Sequence, residues 1–100
     1  MRVKAKLLDG VTMVRLMAKH PMENGRRKDN QTGALIPAKF IQEINCIHKG
    51  KQVFIAYFGT AVSKNPYLAF SFFGGQKGET LVLRWIDNTG ETMVVETDIR

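Results

Sequence analysis

One hundred residues, 44% of them hydrophobic, with fifteen Lys and Arg against nine Asp and Glu, define a single basic domain spanning residues 1–100 with net charge +6. The hydrophobic share excludes a disordered chain, and no apolar run approaches the ~20 residues that a membrane span requires. One cysteine, Cys46, excludes an internal disulfide and a thiolate-rich metal site. The positive excess falls at Arg2, Lys4, Lys6, at Arg26 to Lys28, and at Lys49 and Lys51. Such a domain calls for an anionic partner, and nucleic acid has to be weighed.

The dominant period along the chain is two. Val3, Ala5 and Leu7 alternate with Arg2, Lys4 and Lys6. Met1 to Leu8 therefore reads as a strand of the mature fold, without the continuous apolar core of a signal peptide. Val14, Leu16 and Ala18 then alternate with Arg15, Met17 and Lys19. His20-Pro21 ends that strand, because Pro21 holds its own φ and pushes His20 towards an extended conformation. Asn24-Gly25 is a tight-turn signal, and Arg26-Arg27-Lys28 closed by Asp29 makes a basic loop. The stretch from Pro21 to Pro37 is long for a connection in a compact domain, which points to function or mobility.

Beyond the loop, Phe40, Ile44 and Cys46 are expected on one side of a strand, with Lys39, Glu43 and Asn45 on the other. His48-Lys49-Gly50-Lys51 turns the chain into Val53 to Phe58. Leu68, Phe70 and Phe72 mark a strand after Asn65-Pro66, and Leu81, Leu83 and Trp85 the next. Asp87-Asn88-Thr89-Gly90 leads into the last, with Met93, Val95 and Ile99. Seven short strands with turns between them and no helix predict an all-β, immunoglobulin-like antiparallel β-sandwich.

Candidate chemistry is sparse. Cys46 and His48 share a strand face and could form a small Cys/His catalytic pair, but Cys46 follows the core positions, where a free cysteine behaves as a small hydrophobe. His20 is expected to pack or hydrogen-bond to close its turn. Glu23 and Asp29 are expected to pair with the cations between them, and Asp87 to bond the backbone that follows it. Trp85 reads as core. Val53 to Phe58 is apolar on both alternating sets, which makes Phe54, Tyr57 and Phe58 candidates for a partner surface. Arg26, Arg27 and Lys28 are the electrostatic candidates for docking. A basic nucleic-acid-binding domain remains an alternative, although the aromatics sit within strand patterns and neither an exposed stacking set nor a recognition helix is evident.

Three segments together resemble the SoxZ family of sulfur-oxidation proteins. The first is His20, Pro21, Met22, Glu23, Gly25, Arg27 and Asp29; the second Asn65, Pro66 and Tyr67; the third Trp85, Asp87 and Gly90. The resemblance implies an immunoglobulin-like subunit with no cofactor or metal, and with neither nucleic acid nor membrane as partner. It implies a heterodimer with SoxY, whose C-terminal cysteine carries the sulfur intermediate in thiosulfate oxidation, and transient docking with other Sox enzymes. It also implies a periplasmic location reached with a signal-bearing partner. This chain ends Thr97-Asp98-Ile99-Arg100 rather than in a glycine-flanked cysteine, so the resemblance is to the non-catalytic half. Isolated, such a subunit is expected to pair with itself as a homodimer.

Overall fold

The computed structural model describes residues 1–100 and contains seven strands and no helix, so no helix is long and apolar enough to cross a membrane. The strands are β1 (Arg2–Leu8), β2 (Val11–Met17), β3 (Ile41–His48), β4 (Lys51–Tyr57), β5 (Tyr67–Phe73), β6 (Thr80–Asp87) and β7 (Thr92–Asp98). They form two antiparallel sheets, ordered β1-β2-β5 and β4-β3-β6-β7. The expected sandwich is the observed one.

The period of two explains why the sheets face each other. Val3, Ala5 and Leu7 stand opposite Leu16, Val14 and Thr12, which in turn oppose Leu68, Phe70 and Phe72. This inward set meets Ile44, Cys46, Leu81, Leu83 and Trp85 of the second sheet, all of them buried. The β1–β2 and β3–β4 hairpins turn on Asp9-Gly10 and Lys49-Gly50, in which both central residues have positive φ. That geometry matches the twist of the flanking strands.

The two long sides of the sandwich differ. Along one, Ala5 bridges Ile99 in parallel, the Leu7 amide donates to the Arg100 carbonyl at 2.8 Å, and the Arg100 amide donates to the Ala5 carbonyl at 3.1 Å. Along the other, β4 and β5 are free edges. They are joined by the Phe54 and Phe70 rings, stacked with centroids 3.9 Å apart.

Strand β3 departs from strict alternation. A register shift at Gln42 puts Ile41 and Ile44, three residues apart, both in the core. A second shift, between Cys46 and Ile47, leaves Val53 as the extra residue on β4. Bulges of this kind re-aim side chains. Lys39, expected on the solvent side of this strand, precedes it and turns back across the end of the sandwich.

Candidate functional site

The three motif segments converge at one end of the sandwich, where β2 and β6 end and β3 and β5 begin. His20 is buried there. Its Nδ1 accepts from the Met22 amide at 3.0 Å, which places the ring proton on Nε2, and Nε2 donates to Asp87 Oδ2 at 3.0 Å. The ring meets Trp85 at 90° with centroids 5.0 Å apart. Asn65, at φ 53°, receives the His20 amide on its side-chain oxygen at 3.0 Å and returns its own amide to the His20 carbonyl at 3.0 Å. Pro66 is buried behind it.

Asp87 gathers this end. Oδ2 accepts from His20 and from Lys39 Nζ at 2.7 Å; Oδ1 accepts from the Thr89 amide at 2.9 Å, the Thr89 hydroxyl at 2.6 Å and the Glu91 amide at 3.0 Å. Burial pushes the carboxyl up, but the donors from His20, Lys39 and Thr89 outweigh it and hold it below the usual carboxylate range. Lys39 Nζ also reaches Glu91 Oε2 at 2.5 Å, and the bonds to Asp87 and then Glu91 raise its pKa. The donor atoms of His20, Asp87 and Glu91 lie within 4.8 Å of one another, as metal ligands would. The Lys39 ammonium bonds both carboxylates of that set, so a side-chain cation already bridges them. Neither His20 nitrogen is free for a substrate.

The loop beside this clasp is more ordered than its length suggests. Glu23 and Lys39 exchange backbone bonds at 2.7 and 2.9 Å, and Lys28 bridges Leu35. Met22, at φ 49°, offers its sulfur to the Ile41 amide at 3.3 Å. Gly25 sits at φ 83°, and a Cβ there would stand 3.3 Å from that of Ala38. Glu23 holds Arg27 through Nε and Nη2, a bond that lowers its pKa. Asp29 departs from the expected ion pair: it accepts from the Gln31 and Thr32 amides at 2.7 and 3.1 Å, capping its own turn. Gly90, at φ 89°, closes the Asp87 turn.

The remaining candidates lie elsewhere. Cys46 is fully buried, and burial pushes its thiol up to about 11. His48 is committed to Glu79 Oε1 at 3.0 Å, so the pair offers neither thiolate nor free base. Phe54 on β4 and Phe58 just beyond its end pack against the core, while Tyr57 is 75% exposed and shares the outward set with Ile55. Tyr67 and Phe73 on β5 are exposed as well, the latter to 92%. Arg26, Arg27 and Lys28 are exposed. Sequence reasoning missed Lys39, Thr89 and Glu91; only the Asp-x-Thr turn pattern hinted at Thr89.

The class is therefore a two-sheet antiparallel β-sandwich in which a buried His20–Asp87–Lys39 cluster ties three segments together at one end. The profile of the SoxZ family, described as "Sulphur oxidation protein SoxZ", matches residues 1–98. The chain is a member of the SoxZ family, which gives it a role in sulfur oxidation. No curated protein matches it by sequence.

Proposed function

We propose that this chain is the non-catalytic half of a sulfur-carrier heterodimer in the periplasm. Its partner is a SoxY-like subunit that bears the sulfur intermediate on a C-terminal cysteine and brings the export signal. Family membership supports the role, and one structural observation supports where the partner sits. The outward face of the four-stranded sheet presents Ile55 and Tyr57 on β4, Ile47 on β3, Val82 and Ile86 on β6 and Val94 on β7, apolar side chains on all four strands set among Glu43, Asn45 and Arg84. The solvent side of an antiparallel sheet is ordinarily polar, so six apolar side chains on a face with no further layer favour a partner there. The SoxY-like subunit covers it through roughly 800 Å² per partner, the size of a stable interface. The His20–Asp87 clasp serves this role by fixing the loops around the sheet ends.

Co-expression with the SoxY-like subunit tests the assignment. Tyr57→Asp and Ile55→Asp should each abolish co-purification while leaving the isolated domain folded by circular dichroism. Phe54→Asp should instead destabilise the domain, because its ring is stacked on Phe70. Intact heterodimer in both outward variants would sink the assignment of this face.

A further inference from the structure

We propose that the opposite outward face, that of the three-stranded sheet, is a separate docking surface for an acidic protein partner. Cross-strand pairing sets its side chains in rows: Arg2, Met17 and Tyr67; Lys4, Arg15 and Ala69; Lys6, Met13 and Ser71; Leu8, Val11 and Phe73. Four cations stand on this face, and no Asp or Glu does. None of the four makes an ion pair. The other outward face carries Glu43, Glu96 and Asp98 against Arg84, so the imbalance belongs to this sheet and is not a general property of a basic chain.

Lys4 and Arg15 are directly opposed. Like charges in that position destabilise a sheet, and Arg2 and Lys6 flank them on the same strand. An acidic surface laid across the rows relieves this repulsion. The cations are interleaved with exposed apolar side chains: Leu8, Met13, Met17, Tyr67 and Phe73. Two shallow depressions, of about 240 and 280 Å³, lie between them, one bounded by Arg2, Lys4, Arg15 and Tyr67 and the other by Met13, Arg15 and Ala69. Charge that steers, with small apolar holds, fits a rapidly formed and released protein contact. Single-stranded nucleic acid fits less well. Tyr67 and Phe73 sit at opposite ends of β5, roughly 20 Å apart at the rise of a strand, with Ala69 and Ser71 between them, so successive bases find no continuous stacking platform. Because the two outward faces lie on opposite sides, both can be occupied at once.

Two measurements test the proposal. The first rests on the carrier reading. The heterdimer is immobilised and the other Sox proteins of the same system are passed over it. Lys4→Glu/Lys6→Glu should slow association with at least one of them by about tenfold or more at low salt, converging with the parent at high salt, while heterodimer formation is unchanged. Lys4→Glu alone should raise the melting temperature, since it puts opposite charges across the Lys4–Arg15 position, so slower docking is not unfolding. Unchanged association with every Sox protein overturns the proposal.

The second needs only the isolated chain. A peptide of alternating Glu and Leu should shift amide resonances of β1, β2 and β5, and the shifts should vanish in Lys4→Glu/Lys6→Glu. Shifts centred on Arg26 to Lys28, or no shifts, overturn it. So does tighter binding of a single-stranded oligonucleotide to the same face. If no heterodimer forms, the carrier reading fails and the peptide measurement still decides.

Discussion

The two ends of the sandwich carry the same three groups in different settings. At one end His20, Asp87 and Lys39 meet; at the other, His48, Glu79 and Lys49. In the first, the histidine and carboxylate side chains are 1% and 0% exposed; in the second, 14% and 19%. The buried carboxylate uses both oxygens on five donors drawn from three segments. Glu79 joins His48 and Lys49 of the adjacent hairpin and the Gln76 amide three residues back. The comparison teaches that burial, not the list of partners, decides what such a triad is worth. Removing a partner from water-excluded charge strands the others, whereas near the surface water replaces what is lost.

The largest expected effect breaks the buried triad. Asp87→Ala should cost about 3–5 kcal/mol, measured by denaturant unfolding, because Lys39 and the His20 Nε2–H lose their acceptor. Glu79→Ala should lower the melting temperature far less. If the two losses are equal, burial is not what separates the ends.

Next in size is the contrast between the lysines. Lys39→Met should destabilise more than Lys49→Met, since the Lys39 side chain is 33% exposed and bonds two carboxylates, while that of Lys49 is 68% exposed and bonds one. A thermal melt of each variant checks the order.

Acid sharpens the same comparison. Both carboxylates have lowered folded values, so each stabilises fully above its ordinary value and loses that contribution as pH falls through the folded one. For Glu79 the window runs from 4.5 down to about 2, set by the bonds from Lys49 and then His48. For Asp87 it opens at 3.8 and extends downwards. Glu79→Ala should therefore flatten the upper part of the acid limb in a titration followed by circular dichroism, while Asp87→Asn flattens only the part below 3.8.

The smallest effect concerns Cys46. Cys46→Val should shift stability by no more than about 1–2 kcal/mol, and the native thiol should resist alkylation until the chain is unfolded. Native-state labelling at the rate of a free thiol would show that the core opens there.

Much of this was legible in the chain. Alternation at Val14-Leu16-Ala18 and Leu81-Leu83-Trp85 specified strands and their inner faces, because the pleat has a fixed period. What breaks the period was not legible. The bulge at Gln42 makes Ile41 a core residue and removes Lys39 from the strand, and nothing local distinguishes that from regular alternation. The clasp was half visible. His20 and Asp87 each announced a turn, but only tertiary packing brings residues 67 apart within hydrogen-bond reach. Which way Tyr67 and Phe73 point was not legible for a related reason: an outward aromatic on an edge strand has the same local sequence as an inward one shifted by a residue.

The separation of His20 and Asp87 also has a kinetic consequence. A bond between residues so distant in sequence closes a long loop, and its geometry depends on three segments meeting at the end of the docked sheets, so it should form late. The clasp therefore belongs to the descent after the folding barrier. Weakening its cross-loop bonds should leave the refolding limb of a chevron nearly unmoved and raise the unfolding limb. On this account the cluster sets how long the assembled domain lasts rather than how fast it is made.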